Sequence, residues 1–134
     1  MAGEPVIEPA NMCFACGPEN PIGLHIPFTL AGGICTGFFT PDENHVGYHD
    51  TVHGGIIFSA LDDVMANNLY LQGIKAHTAR CEIRYRKTLR VGEQIRLISR
   101  IEKMRKSLVI LDAEARRAAD DTLIADCRAS FMLG

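Results

Sequence analysis

The residues with the clearest chemical potential lie in the stretch HGGIIFSALDDVM. Its two glycines, Gly54 and Gly55, stand where a helix is predicted to begin. A helix N-terminus leaves backbone N–H groups without partners and carries partial positive charge, and glycines let a ligand approach that backbone closely. These amides could therefore bind a carbonyl oxygen that becomes an oxyanion during a reaction. The alternative is that the glycines only permit close packing at the helix start.

Asp62 is the second candidate, because it follows His53 by nine residues on the same predicted helix. Its neighbours one helical turn away are mostly apolar, whereas those of Asp63 include Ser59 and Asn67. We therefore predict that Asp62 is the acid in apolar surroundings, where a carboxylate becomes an activated base or nucleophile. A structural acid paired with an arginine across an interface is an equally consistent interpretation.

A long helix and several strands are predicted to position these residues. From His53 to Gln72 the chain has no proline and hardly any polar stripe, and Gly73 is a natural stop, so one helix is predicted there. Before it, residues 24–41 are predicted to form two strands joined at Gly32 and Gly33, which tolerate the positive φ of a tight hairpin. After it, four segments of alternating apolar and polar residues, joined by short turns, predict an antiparallel sheet.

The apolar character of the helix predicts the architecture. A helix that is apolar nearly all round must be enclosed, so we predict an α+β domain in which a curved antiparallel sheet of about six strands wraps one long central helix. One sheet covers only part of such a helix, so a second copy of the chain is predicted to bury the rest, giving a homodimer or a dimer of dimers. The proline-rich residues 1–22 are predicted to be a lead-in segment packed on a single domain of residues 23–134.

Composition excludes several classes of function. The chain of 134 residues has a formal net charge of -2, which argues against binding nucleic acid by bulk electrostatics. No segment reaches the roughly 18 apolar residues of a membrane span, and the first residues lack the pattern of a secretory signal. A cytoplasmic protein that binds neither membrane nor nucleic acid is therefore predicted. Its five cysteines form an odd set, which favours reduced thiols over a disulfide framework.

The pair Cys13 and Cys16, in the spacing C-x-x-C, raises the question of a metal or redox site. A structural zinc needs four ligands, and only His25 lies nearby in the sequence. Thioredoxin-like use of the pair needs a βαβ pattern, which is absent. We therefore predict a turn of small residues that docks the N-terminal segment, and neither a metal site nor a cofactor.

Longer motifs add a family resemblance. The stretch NHVGYHDTVHGGIIFSALDDVM, followed by TARCEIRYRKTLRVGE, resembles the signature of hotdog-fold acyl-CoA thioesterases in the 4-hydroxybenzoyl-CoA and phenylacetyl-CoA thioesterase superfamily. The opening CFACGPENPIGLHI resembles the lead-in of many bacterial members. An HGG, an acid nine residues later and a threonine on the strand after the helix are together more specific than any one of them. The resemblance implies a hotdog fold with active sites between two protomers.

The same resemblance implies roles for individual residues. The chain would hydrolyse a fatty or aromatic acyl-CoA to the free acid and CoA, with the N–H of Gly54, and Gly55 beside it, polarising the thioester carbonyl. Asp62 would act as a general base or as a nucleophile, and the sequence does not choose between these routes. Thr78 would help position the attacking water or the acid. Strict alternation places Thr78 on the face of Arg80, so this role requires a bulge or the partner chain.

Further residues are implied at the edges of the site. His53 and His45 match recurring positions of the approach loop. His49 and Asn44 are alternative candidates to replace an asparagine that some relatives carry where this chain has Gly47. The nucleotide phosphates of CoA would be bound by basic residues of one strand and its end, namely Arg80, Arg84, Arg86 and Lys87. Two other functions are weighed: a non-catalytic hotdog module that binds or senses acyl thioesters, and a hotdog hydratase, whose paired Asp and His motif is not found.

Overall fold

The computed structural model describes residues 10–134, and each element in it has a reason in the sequence. The strands and helices, in chain order, are β1 Phe28–Ala31, β2 Ile34–Phe39, a short 3-10 turn Glu43–His45, β3 Val46–Tyr48, β4 Thr51–Val52, α1 Gly54–Tyr70, β5 Ala76–Tyr85, β6 Ile95–Met104, β7 Leu108–Arg117 and β8 Leu123–Leu133. The predicted helix therefore exists, and it ends two residues earlier than Gln72.

Six of the strands form one antiparallel sheet in the order β1-β2-β6-β7-β8-β5, and β3 pairs with β4 in a small separate ribbon. Helix α1 contacts all six strands of the large sheet. A sheet can touch one helix along its whole width only if it curves around it. The prediction of a curved antiparallel sheet around one central helix is confirmed.

The hairpin between β1 and β2 confirms the role predicted for its glycines. Gly32 and Gly33 have φ values of +59° and +79°. Both central residues of a type I′ hairpin turn need positive φ, and glycine adopts it without steric cost. The turn fixes the register in which Leu30 faces Cys35.

The order of the strands departs from the predicted succession of short turns. Strand β5 pairs with β8, the last strand of the chain, and the connection over residues 86–94 carries the chain to the far side of β7. Periodicity reveals strands but not their neighbours, which depend on how the whole chain closes. Strand β5 is therefore an edge strand, and no other strand described in residues 10–134 pairs with its outer side.

The core lies between the helix and the concave side of the sheet. Leu61, Val64 and Met65 of α1 are fully buried, as are Leu97 on β6 and Leu111 on β7. Burying one large apolar side chain contributes about 1.5–3 kcal/mol to stability. The packing of this face fixes the rotation of α1 about its own axis, and with it the direction of every polar side chain on the helix.

One polar bridge inside this core ties the helix to the sheet. The Asn68 amide is fully buried and donates to the carbonyls of Gly33 and Ser99, at 3.2 and 3.1 Å. The Ser99 hydroxyl donates in turn to the Val64 carbonyl at 2.7 Å. A buried polar group costs free energy unless it is bonded in this way, so these bonds fix the position of α1 along the sheet.

The part of the lead-in segment that is described lies against the domain. The amides of Leu24 and Ile26 donate to the carbonyls of Phe14 and Ala15, at 2.8 and 2.9 Å. Ala15, Leu24 and Ile26 are buried. Residues 1–9 of the predicted lead-in lie outside the described residues, and the division at residue 22 stays a prediction. In the part of the chain that the structure describes, no helix is long and apolar enough to cross a membrane.

Candidate functional site

The side chains of His53 and Tyr85 hold the start of α1. His53 is the N-cap, and its Nδ1 accepts a hydrogen bond from the Gly55 amide at 2.8 Å. The hydroxyl of Tyr85, at the end of β5, donates to the Gly54 carbonyl at 2.8 Å. Among the hydrogen bonds described for residues 10–134, the Gly54 amide has no acceptor. Of the two glycine amides predicted to bind an oxyanion, Gly54 is therefore the one available for a ligand.

The space around the two glycines also differs, with more room at Gly54 than at Gly55. A Cβ built at Gly55 would lie 3.0 Å from the His53 ring, so this position lacks room while His53 caps the helix. A Cβ at Gly54 would make only ordinary contact, 3.4 Å from the Tyr85 ring. Glycine at position 54 is therefore not required by packing within the chain, which leaves the approach of a ligand to the backbone as a reason for it.

The approach loop before the helix holds two further predicted site residues. The backbone carbonyl of His45 accepts a hydrogen bond from the His53 amide at 2.9 Å. The ring Nδ1 of His45 accepts one from the Asp42 amide at 2.9 Å. The ring of His45 therefore orders the loop. His49 is exposed, has a φ of +57°, and packs its ring against Tyr48 with the ring centroids 4.5 Å apart. No contact between His49 and the helix start is described.

Gly47 stands where some relatives are expected to carry an asparagine. A Cβ at this position would lie 3.1 Å from the His53 Cα and 3.3 Å from its ring. The loop therefore approaches the helix cap more closely than a side chain at position 47 allows. This close packing gives a physical reason for the departure noted in the sequence.

Asp62 and Thr78 meet, although strict alternation would separate them. The Thr78 hydroxyl donates to Asp62 Oδ1 at 2.6 Å. The pairing of β5 with β8 shifts between Thr78, which faces Phe131, and Arg80, which faces Ser130. Such a β-bulge adds one residue to a strand and reverses its alternation beyond that point. The bulge that the sequence interpretation required is present, and it turns Thr78 to the helix side of the sheet.

Asp62 and Asp63 are both half-buried in the single chain, so Asp62 does not stand out as the buried acid that the sequence predicted. Burial is the main cause of a raised pKa for the Asp63 carboxyl. The N-terminal segment covers Asp63, with the Cys13 thiol 3.6 Å from its Oδ1. The prediction counted only neighbours on the helix itself, so it missed a segment that arrives from 50 residues away.

Gly54 and Asp62 do not share a site within one chain. They are eight residues apart on α1, a rise of about 12 Å along the axis. A single carbonyl carbon must lie within about 3–3.5 Å of a reacting group, so it cannot contact both residues of the same helix. The two residues can act together only if they come from two copies of the chain.

The basic residues predicted to bind phosphates lie away from the helix start. Arg84 and Arg86 line a cleft on the outer face of the sheet, and Arg86 forms an ion pair with Asp126 at 3.0 Å. Arg80 lines a neighbouring cleft on the same face. Lys87 lies two residues beyond the end of β5 and is exposed. Within one chain the three arginines are therefore on the opposite side of the sheet from α1.

A groove beside the helix start was missed by sequence reasoning. It has a volume of about 800 Å³ and lies between the lead-in segment and β2. Phe14, Ile22 and Phe38 line it, together with Ile56, two residues beyond Gly54. The proline-rich composition of the lead-in gave no sign that its apolar side chains form a wall of this groove.

Comparison with known proteins connects this geometry to a family. The sequence model of the thioesterase superfamily matches residues 49–124, which include the helix start, Asp62 and Thr78. The chain belongs to the thioesterase superfamily. A protein of Deinococcus radiodurans described as a putative esterase is 30% identical over 88 residues, which are 64% of this chain and 58% of that protein. The match thus spans little more than half of that relative.

Solved structures agree on the fold. The Escherichia coli PaaI protein from the phenylacetic acid degradation operon is 21% identical, with a TM-score of 0.76 over 81% of this chain and 83% of that one. A hypothetical thioesterase of Streptococcus pneumoniae, solved with coenzyme A, is 12% identical, with a TM-score of 0.76 over 81% of this chain and 85% of that one. At these identities the likeness shows the hotdog fold of this thioesterase family.

Proposed function

We propose that this member of the thioesterase superfamily is an acyl-CoA thioesterase that hydrolyses a fatty or aromatic acyl-CoA to the free acid and CoA. The observation that carries the proposal is the contact of 2.6 Å between Asp62 and Thr78, on a helix that begins with a free Gly54 amide. A carboxylate held by a hydroxyl group and a free amide at a helix start are the two groups that thioester hydrolysis needs.

The comparisons support the same residues. The Streptococcus pneumoniae protein has been solved with coenzyme A and also as two variants, one with an aspartate and one with a threonine changed to alanine. Those two positions are sixteen residues apart, the separation of Asp62 and Thr78 in this chain. The equal spacing supports the pair as the functional carboxylate and its hydrogen-bond donor.

In the proposed mechanism, the thioester carbonyl oxygen accepts a hydrogen bond from the Gly54 amide of one protomer. The helix N-terminus stabilises the negative charge that grows on this oxygen as the carbonyl carbon becomes tetrahedral. Asp62 of the facing protomer acts at the carbon. The Thr78 hydroxyl occupies its Oδ1, which leaves Oδ2 for the reaction.

Two routes lead from this arrangement. As a general base, Asp62 takes a proton from water while the water oxygen attacks the carbon, and the CoA thiolate leaves and is then protonated. As a nucleophile, Asp62 displaces the thiolate to form a mixed anhydride, which water then hydrolyses. Label in the Asp62 carboxylate after a single turnover in ¹⁸O-labelled water would identify the nucleophilic route, because it enters when water attacks the aspartyl carbonyl of the anhydride.

The site also implies a homodimer or a dimer of dimers. The groove beside Ile56 is the proposed place for the acyl group, since Phe14, Ile22 and Phe38 give it an apolar wall and it adjoins the helix start. His45, His49 and His53 are proposed to order its approach, and Lys87 to contact the CoA phosphates. The outer-face arginines Arg80, Arg84 and Arg86 can take part only by reaching the site of another protomer.

The test is the variant Asp62→Asn. It keeps the shape and the hydrogen bond from Thr78 but removes the base, so hydrolysis of acyl-CoA should fall roughly a hundredfold or more. A thiol-detecting dye measures the CoA released from a panel of short, long and aromatic acyl-CoAs. Asp112→Asn, which changes an exposed carboxylate on the outer face of the sheet, is the matched control.

Full activity of Asp62→Asn would remove Asp62 from the mechanism. The second candidate function is a module that binds acyl thioesters without hydrolysing them. It would be indicated by tight acyl-CoA binding to the wild-type protein with no CoA release from any member of the panel.

A further inference from the structure

A second group of reactive side chains lies where the N-terminal segment crosses α1. The Sγ atoms of Cys13 and Cys16 and a carboxylate oxygen of Asp63 all lie within 4.8 Å of one another. Within residues 10–134 no other group of three His, Cys, Asp or Glu side chains is close enough to hold a metal ion. The proposed hydrolysis uses none of these three residues.

The backbone of the turn holds the two thiols together. The Gly17 amide donates to the Cys13 carbonyl at 2.8 Å, which closes a turn over the three residues between them. A Cβ at Gly17 would lie 2.4 Å from the Asn11 oxygen and 2.4 Å from the Cys13 nitrogen, so only glycine fits this position. The sequence C-x-x-C-G therefore specifies a tight loop that presents both sulfur atoms to the helix.

The helix supplies an ordered carboxylate opposite this loop. Asn67 donates to Asp63 Oδ2 at 2.9 Å, and the same amide group lies 3.6 Å from Cys16 Sγ. Its hold on Oδ2 leaves Oδ1 directed to Cys13 Sγ, at 3.6 Å. Metal-binding carboxylates are typically oriented by a hydrogen bond of this kind to their second oxygen.

Asp63 has no ion-pair partner among residues 10–134, although Lys75 lines the adjoining cavity. The ion pairs described for residues 10–134 include neither Lys nor Arg bound to Asp63. Three acidic groups thus converge at a half-buried place without a paired cation. A buried carboxylate is costly unless it is paired or coordinates a metal.

We propose that Cys13, Cys16 and Asp63 bind one Zn²⁺ ion. Bond lengths of about 2.3 Å to sulfur and 2.0–2.2 Å to oxygen place tetrahedral ligand atoms roughly 3.5–3.8 Å apart. The contact of 3.6 Å between Cys13 and Asp63 already has this separation. Two thiolates select zinc over magnesium or calcium, which prefer oxygen ligands alone. On binding, the two thiol protons pass to solvent and each sulfur donates an electron pair to the metal.

The fourth position of the metal faces a small cavity. This cavity has a volume of about 150 Å³, and its lining includes the three proposed ligands together with Asn67, Tyr70 and Lys75. No fourth His, Cys, Asp or Glu in residues 10–134 joins the group, so a water molecule completes the tetrahedron. The ion would fasten the N-terminal segment to the middle of α1, next to Asp62.

The test is metal titration of the full-length chain after removal of metal under reducing conditions. Co²⁺ is the probe, because thiolate ligands give it charge-transfer bands in the near ultraviolet. One equivalent per chain should produce these bands, and one equivalent of Zn²⁺ should abolish them. The variants Cys16→Ser and Asp63→Asn should weaken Co²⁺ binding more than about a hundredfold, and Asn67→Ala roughly 10–100-fold.

Two controls keep the result decisive. Cys81→Ser removes a half-buried thiol outside the cluster and should leave Co²⁺ binding unchanged. Circular dichroism establishes that each variant is folded before it is titrated. The proposal is overturned if the wild-type protein shows no thiolate bands at one equivalent, or if Asp63→Asn gives bands and affinity equal to wild type. It is equally overturned if thiol counting finds Cys13 and Cys16 joined in a disulfide in the reduced-buffer preparation.

Discussion

Asp62 owes its geometry to one hydrogen bond from Thr78, and that bond owes its existence to a single extra residue in β5. The hydroxyl holds one carboxylate oxygen and leaves the other to react. In the same way His53 occupies the Gly55 amide and leaves the Gly54 amide free. At each end of the proposed site, a neighbouring side chain selects which atom is available.

Removing the Thr78 hydroxyl is expected to lower kcat with little change in KM. A hydrogen bond to a charged group contributes about 1.5–3 kcal/mol, and partial exposure favours the lower end, so Thr78→Val should lose roughly tenfold in kcat. Thr78→Ser keeps the donor and should recover most of the rate. Steady-state kinetics of the two variants measure the difference. A rise in KM at constant kcat would show that Thr78 binds substrate and does not position Asp62.

Residues near one another in sequence were the easier ones to interpret. The HGG motif located the helix start, and the acid nine residues later identified Asp62 as a candidate. The burial of Asp63 could not be predicted, because the residues that cover it come from a distant part of the chain with no periodic pattern. For the same reason Cys13 and Cys16 were interpreted without their third neighbour.

At the scale of elements, the helix depends on a few polar anchors as much as on its apolar faces. Asn68 joins α1 to the β1–β2 turn through Gly33 and to β6 through Ser99. Tyr85 fastens the first residue of α1 to the end of β5. These bonds act at opposite ends of the helix, so they set its position lengthwise and keep the proposed site residues at fixed heights above the sheet.

The variant Asn68→Ala tests the inner anchor. It leaves the buried carbonyls of Gly33 and Ser99 without their donor and creates a small cavity, which should cost about 2–3 kcal/mol of unfolding free energy. For a chain of this size that corresponds to a fall in Tm of roughly 10 °C. Differential scanning calorimetry measures it. Asn44→Ala, in an exposed loop, should change Tm by less than about 2 °C.

Periodicity was enough to predict the elements but not their arrangement. The hairpin at Gly32 and Gly33 was predicted because its turn is local, and the later strands were predicted because each alternates over about ten residues. The pairing of β5 with β8 was not predicted, because it joins segments about fifty residues apart and depends on chain closure. The bulge in β5 was only stated as a requirement, since no composition signal distinguishes Ala79 as an extra residue.

At the scale of the whole molecule, two observations favour a second copy of the chain. Strand β5 has a free outer edge in the described structure. Exposed strand edges pair readily with another strand unless something covers them. Gly54 and Asp62 are also too far apart along α1 to act on one substrate within a single chain. The proposed site is therefore complete only in a dimer.

Mixing two inactive variants tests whether the site is shared. Gly54→Val should block the amide, and Asp62→Asn should remove the base, so each homodimer should be inactive. After subunit exchange in an equal mixture, heterodimers carry one intact site, and about a quarter of the wild-type activity should return. Hydrolysis before and after exchange measures the recovery, with light scattering as the check on oligomeric state. No recovery between folded, exchanging variants would place both groups in one chain.

The eight-residue offset between Gly54 and Asp62 has a consequence for how the protein responds to its own abundance. A chain that has lost its partner keeps both groups, but the two cannot act together on one substrate molecule. Dilution would then inactivate the protein by separating the protomers, without unfolding them. Specific activity would rise with protein concentration until dimerisation is complete.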